Sequence, residues 1–234
     1  SAAIDTLGGD LVRDVRPGEL VVLDPDGTGF ESYQLVDQET TAHCFFEHVY
    51  FARPDSIVDE TLVYEARRNL GRKLWEESGV ETDVVLPVRL KLNPIKSTIE
   101  GQSVTIIDDS IVRGTTSRQL VSLLKDAGAE EVHVRIGAPP IVAPCYMGID
   151  MASRDELIAA DRSVEEIREE IDADSLGYLS IDAVANVLDA SRLDLCLGCV
   201  TGEYPYDIDG EATDREVQRP IIEDRDGSPA RADD

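Results

Sequence analysis

The sequence predicts an α/β fold: a parallel sheet flanked by helices, with a short N-terminal β section and a helical C-terminal part. Three observations predict it. Val104–Asp108 and Glu131–Ile136 are short apolar runs bracketing a helical pattern over Ser117–Ala127, which together make a βαβ unit. Asp83–Val88 is a further β-branched run of the kind that parallel sheets bury. Upstream of it, Val58, Leu62, Ala66, Leu70 and Leu74 recur at helical spacing on one face.

Taken in order, residues 1–41 read as β structure with turns, too small to stand alone and resembling the end of a domain. Glu19–Leu23 is a compact strand, Asp24-Pro-Asp-Gly27 a turn, and Tyr33–Val36 a segment that pairs back. Phe45–Phe51 is aromatic and β-branched, so it is expected to be a strand closed by Ala52-Arg-Pro-Asp55. Ser56 with Asp59 fits a capping box opening a helix that runs to Ser78, with Gly79 as its stop. Beyond Pro144 the pattern turns helical over Arg154–Ala160, then over Ser163–Ile171 behind a Ser163/Glu166 capping box, then over Ser180–Leu188. From about Asp207 the chain is acidic, rich in Gly and Pro and without apolar periodicity, which predicts a disordered tail over 207–234.

The most informative stretch is Val104–Ser117. An apolar run ends in Asp108 and Asp109, passes through Ser110 and Arg113, and enters a helix by way of Gly114, Thr115, Thr116 and Ser117. Open α/β sheets bind ligands beyond the carboxyl ends of their strands, where this order places the acidic pair. A helix N-terminus offers unpaired N–H groups and a partial positive charge, a cup suited to phosphate. Carboxylates for a sugar diol or Mg²⁺ beside a phosphate cup describe a site for a phosphorylated sugar.

Composition narrows the partners. The formal net charge is −26, from 48 acidic against 22 basic residues, and a surface this negative repels nucleic acid and anionic membranes. The lysines are Lys73, Lys91, Lys96 and Lys125 alone; an acidic, lysine-poor surface resembles proteins of extreme halophiles, in whose salt self-repulsion is screened. No stretch is apolar enough to span a bilayer and no signal segment opens the chain, so a cytoplasmic setting is expected. Ser1 in place of Met suggests a processed or excised chain.

The cysteines are Cys44, Cys145, Cys196 and Cys199. Cys196-Leu-Gly-Cys199 alone is ambiguous between a metal site, a redox dithiol and two core thiols. Four thiolates can complete a tetrahedral zinc site or bind a four-iron four-sulfur cluster, and spacing does not choose between them.

The Asp-Asp-Ser-Ile-Val-Arg-Gly-Thr-Thr-Ser run resembles the phosphoribosyl pyrophosphate (PRPP) signature of type I phosphoribosyltransferases. Cys44-Phe-Phe-Glu-His-Val-Tyr-Phe-Ala-Arg-Pro-Asp-Ser56, Pro139–Asp150 and Cys196–Pro205 resemble segments of the glutamine PRPP amidotransferases. The similarity covers nearly the whole chain through Pro205; Ser1–Gly9 and Val15–Leu20 resemble the closing strands of that family's glutaminase domain. The resemblance implies a type I phosphoribosyltransferase fold over 42–206, a glutaminase remnant over 1–41, and a homo-oligomer. It also implies a structural four-iron four-sulfur cluster, whose cysteine positions in the family fall on Cys44, Cys145, Cys196 and Cys199.

The implied reaction is displacement of pyrophosphate from C1 of PRPP by ammonia drawn from glutamine, giving 5-phosphoribosylamine, the first committed step of purine synthesis. Asp108 and Asp109 would carry Mg²⁺ or the ribose hydroxyls, and Ser110 together with Arg113–Ser117 the 5-phosphate, mainly through backbone amides. Lys91 could neutralise phosphate charge, while His43, His48 and His133 read as structural. Two departures stand out. The family's N-terminal catalytic Cys has no counterpart, so Ser1 reads as a truncation point. Val88 runs directly into Arg89, where the family has a longer stretch with a Pro-Asp-Ser-Gly pyrophosphate loop and a flexible loop. A salvage phosphoribosyltransferase and a non-catalytic PRPP-binding regulator are the competing readings.

Overall fold

The computed structural model describes residues 2–37, 41–88, 96–149, 153–189, 194–205 and 208. A short helix α1 (Ala2–Thr6) precedes an antiparallel hairpin of β1 (Glu19–Leu23) and β2 (Phe30–Gln34). Then come β3 (His43–Cys44), a tight hairpin of β4 (Ile57–Val58) and β5 (Thr61–Leu62), helix α2 (Val63–Ser78), β6 (Val84–Pro87) and α3 (Lys96–Ile99). The central unit continues with β7 (Ser103–Asp108), α4 (Thr115–Asp126), β8 (Glu131–Ile136), α5 (Val164–Glu170), β9 (Ser175–Tyr178) and α6 (Ile181–Val187). It closes with β10 (Leu195–Cys196) and α7 (Gly198–Thr201).

Strands β6, β7, β8 and β9 lie side by side in that order, all parallel, in the expected α/β arrangement. Register aligns Val84 with Val104, Ile106 with Val134, and Asp108 with Ile136. Side chains alternate across a strand, so Val104, Ile106, Val132 and Val134 face one side, where α4 and α5 bring Val121, Leu124, Ile167 and Ile171. The other side is covered by α2 and α6, with Phe45, Leu70, Leu74 and Val184 in a second core. Arg135 is buried on that side. Its guanidinium donates to the Ser78 carbonyl at the last turn of α2, to the Val134 carbonyl (2.8 Å) and to Ser175 Oγ (3.0 Å). A cation at the negative end of a helix dipole ties α2 to the sheet.

Several sequence expectations hold. The Ser163/Glu166 capping box forms at α5, and Ser180 caps α6 by accepting from the Ala183 amide. Others are corrected. Within Asp83–Val88 the strand is Val84–Pro87, and among the described residues it is an edge strand rather than a buried one: Val85 is 52% exposed, and the burial alternates along it. Phe45–Phe51 is not a strand, because a π-type helical turn spans Glu47–Phe51. Phe45, Phe46, His48 and Val49 are the buried residues there, a helical spacing that seats them against α2. The Arg154–Ala160 helix shrinks to a single 3₁₀ turn over Arg154–Glu156. Strand β9 was not anticipated. The tail over 207–234 lies outside the described residues apart from Ile208, as do Lys91 and the segment that follows Val88.

The Ser56/Asp59 capping box does not form; the helix begins at Val63 after the β4–β5 hairpin. Val58 pairs with Thr61, leaving Asp59 and Glu60 as a two-residue loop with φ of 47° and 62°. Two left-handed residues make a type I′ turn, which favours Asn or Asp followed by Gly. Glu60 carries a Cβ where glycine is preferred. Glu60→Gly is therefore expected to stabilise the protein by about 0.5–1 kcal/mol, read as a higher urea midpoint at unchanged slope.

Candidate functional site: an acidic strand tip, an amide cup and four thiols

Asp108 ends β7, and its carbonyl accepts from the Gly137 amide at 2.9 Å, just past the end of β8. Its Oδ1 accepts the Asp109 amide at 2.9 Å, and Asp109 Oδ2 accepts from Ser110 Oγ at 3.1 Å. Both carboxylates are half-buried and oriented by local donors. Gly114 then turns the chain into α4 with φ of 75°, a left-handed conformation that a side chain rarely adopts. A Cβ there would also lie 2.6 Å from Ile158 Cδ1, which would have to move aside. Gly114 as N-cap brings no side-chain acceptor, so the first-turn amides of α4 are left for an anion. Thr115 and Thr116 are exposed, whereas Ser117 is buried. The structure thus places Asp108, Asp109, Ser110 and Gly114–Ser117 around one strand-to-helix turn.

The loop is held from outside by residues that the sequence did not single out. The Ile158 amide donates to the Val112 carbonyl at 2.9 Å. Arg113 reaches Glu156 with both Nε and Nη2 at 3.2 Å, so its side chain is engaged by a carboxylate. That ion pair is exposed and contributes little to stability, but it sets the direction of the guanidinium. No sequence signal marks these contacts, since Arg113 and Glu156 are 43 residues apart.

A second constellation forms below. Strands β3 and β10 pair in parallel with Cys44 opposite Cys196. Cys199 lies in α7, and its carbonyl accepts from the Val142 and Ala143 amides at 2.9 and 3.1 Å, which brings in the segment carrying Cys145. All four cysteines are free thiols, each half-buried. Burial pushes the Cys199 thiol up to about 12, with the charges of Cys44, Cys145 and Cys196 adding to it. Burial also raises Cys44, opposed by amides of Phe46 and Glu47 that point at its sulfur. The Met147 amide approaches Cys145 Sγ at 3.4 Å. Four distant cysteines are electrostatic neighbours, and N–H groups are aimed at two of their sulfurs. Among the described residues, no group of three or more His, Cys, Asp or Glu converges tightly enough to hold a single metal ion.

Each histidine has a polar neighbour: His43, beside Cys44 in β3, pairs through Nδ1 with Asp59 (2.9 Å), His48 Nε2 lies 3.2 Å from the Val58 carbonyl, and His133 lies between Ser175 and Glu131. A surface hollow of about 480 Å³ involves Trp75, Glu81, Thr82, Asp83, Val85 and Ser103. It lies along the edge strand and toward the starts of β6 and β7, away from the acidic tip.

No protein-family model matches the chain. Among curated proteins, 94% of it aligns at 41% identity with an amidophosphoribosyltransferase of Methanothermobacter thermautotrophicus, covering 55% of that protein. Over 90% of the chain, identity is 42% to an amidophosphoribosyltransferase of Archaeoglobus fulgidus, covering 56% of it. A solved structure described as the allosteric regulatory enzyme of purine biosynthesis superposes with a TM-score of 0.84 at 35% identity, covering 94% of this chain and 58% of that one. A glutamine PRPP amidotransferase from B. subtilis in complex with ADP and GMP gives 0.80 at 37% identity, with 88% and 56% covered.

Fold and site together define a type I phosphoribosyltransferase fold. The chain is homologous, along nearly all of its length, to part of the amidophosphoribosyltransferases. It spans about half the length of the curated relatives it matches. The first alignment is 266 residues long, whereas 94% of 234 residues is about 220, so about 46 aligned positions have no counterpart here. A shortfall of that size accords with the abrupt Val88–Arg89 junction. Among the described residues, no helix is long and apolar enough to cross a membrane.

Proposed function

We propose that this chain forms the transferase part of an amidophosphoribosyltransferase, in which ammonia displaces pyrophosphate from C1 of PRPP to give 5-phosphoribosylamine, the first step of purine biosynthesis. The observation that carries the reading is the oriented pair Asp108–Asp109 beside the uncapped N-terminus of α4. Ser110, Thr115, Thr116, Ser117 and the loop amides receive the 5-phosphate, with Arg113 at its edge. Asp108 and Asp109 hold the ribose hydroxyls or Mg²⁺, for which hard carboxylate oxygens are suited. An oxocarbenium-like centre at C1 is stabilised by fixed negative charge close by, and alignment supplies much of the remaining rate. Magnesium offsets the charge of the departing pyrophosphate when bound.

Residues 1–41 are read as the end of a glutaminase domain, residues 42–206 as the transferase domain and 207–234 as an acidic tail. In support, Leu20, Val22, Leu23, Phe30 and Tyr33 of the β1–β2 hairpin are exposed. An isolated two-stranded hairpin is marginally stable in water, so covering strands outside this chain are expected. Glutamine would supply ammonia there, and assembly would be homo-oligomeric. The four cysteines are read as ligands of a four-iron four-sulfur cluster rather than of zinc. Four thiols that sense one another's charge suit a cluster, which gives each sulfur its own iron. At Cys44 the Phe46 and Glu47 amides oppose the burial that raises its thiol, and any such group requires the thiolate. The excess of 48 acidic over 22 basic residues is read as adaptation to concentrated salt.

The test is PRPP consumption by the purified chain with Mg²⁺ and ammonium in molar KCl, followed as pyrophosphate release, alongside iron and sulfide analysis. Ammonium-dependent release with about four irons per chain is expected. Absence of PRPP binding by calorimetry would overturn the assignment of the site; zinc in place of iron would overturn only the cluster.

A further inference from the structure

The four-thiol site has a cover that none of the cysteines provides. The chain leaves α7 at Gly202, whose left-handed φ of 79° turns it back across the helix. Tyr204 then lies on Gly198, the residue before Cys199. A Cβ at position 198 would meet Tyr204 Cδ1 at 2.4 Å and Cε1 at 2.7 Å, so the ring occupies space that only glycine leaves open. The Tyr204 hydroxyl donates to the Pro144 carbonyl at 2.7 Å. Its ring meets that of Tyr146 edge-on, with centroids 5.0 Å apart and an interplanar angle of 62°. Pro144 and Tyr146 flank Cys145. A single side chain therefore touches both neighbours of one thiol and the neighbour of another.

We infer that Tyr204 is a positioning residue that fixes Cys145 relative to Cys199 and screens their sulfurs from solvent-borne reagents. The geometry stands apart from the PRPP site and from the identity of whatever the thiols hold. Beside the Val142 and Ala143 amide bonds to the Cys199 carbonyl, one hydroxyl bond and one ring contact from Tyr204 therefore bear on the Cys145–Cys199 half of the site. The other half, Cys44 and Cys196, is fixed independently by the β3–β10 ladder.

The test uses the full chain as purified, with the group its thiols hold left in place, reacted with the aromatic disulfide DTNB. Each thiolate that attacks forms a mixed disulfide and releases one thionitrobenzoate, which is read by absorbance; peptide mass spectrometry identifies the cysteine. Tyr204→Ala is expected to speed labelling of Cys145 and Cys199 about tenfold, with Cys44 and Cys196 unchanged. Tyr204→Phe, which keeps the ring and loses the bond to Pro144, is expected to speed the same two about threefold, in line with one net hydrogen bond. If the alanine variant loses its secondary structure by circular dichroism, the phenylalanine variant decides. Wild-type rates in Tyr204→Phe, or acceleration confined to Cys44 and Cys196, would overturn the inference.

Discussion

Replacing Asp108 and Asp109 together by Asn is expected to lower the proposed ammonium-dependent PRPP turnover by at least about a hundredfold while leaving the fold in place. Hydrogen bonds to charged groups are worth about 1.5–3 kcal/mol each, so on the proposed function the loss of two charged acceptors at the sugar amounts to two or more decades in rate. The local structure tolerates the change. Asn at 108 still offers Oδ1 to the amide of residue 109, and Asn at 109 still offers an acceptor to Ser110 Oγ. Neither aspartate belongs to either hydrophobic core. Circular dichroism and the melting temperature should therefore stay near wild type, as should iron content. Undiminished turnover in the double variant would remove the acidic pair from the reaction.

Cys199→Ser has the larger structural consequence. Cys199 packs against the core that includes Phe45, Leu70 and Val184, and its backbone anchors Val142 and Ala143. A serine hydroxyl at that position is a poor ligand for soft metals and would remain partly buried. Metal-binding free energy is also folding free energy, so loss of the bound group should appear as loss of stability. The expected result is loss of cluster absorbance and iron, with a melting temperature lower by about 6–12 °C, corresponding to about 3 kcal/mol for a chain of this size. A folded variant with full iron content would refute the ligand assignment.

The metal-free wild type adds a pH signature of known sign. The Cys199 thiol titrates near 12 when folded, against about 8.5 for a free thiol. Between those values the native state binds more protons than the unfolded one, so stability falls as pH rises. The contribution is complete below about pH 8.5 and lost through the folded value. Urea midpoints across pH 8 to 10 should decline in the wild type and decline less in Cys199→Ser.

What the amino-acid sequence determined by itself was local and periodic. The βαβ unit was legible because each piece satisfies one rule: β-branched runs at 104–108 and 131–136, and a helical pattern between them over Ser117–Ala127. The Ser163/Glu166 capping box needs only the residues it contains. The acidic tip and its cup lie within ten consecutive residues, so their chemistry was readable before any coordinates.

Tertiary structure decided what depends on distant partners. Phe45–Phe51 satisfies β propensity, yet packing against α2 makes it helical, because a pleated segment would turn alternate aromatics toward water. Asp83–Val88 reads as buried, but nothing among the described residues pairs with its outer edge. Ile158 and Glu156 shape the loop at Val112 and Arg113 from more than forty residues away, through a backbone bond and an ion pair that leave no periodic trace. The four cysteines, spread over 155 positions from Cys44 to Cys199, became neighbours only once β3 paired with β10 and α7 docked on the Cys145 segment. Local preference is written in neighbouring residues, whereas the meeting of remote groups is a property of the assembled core.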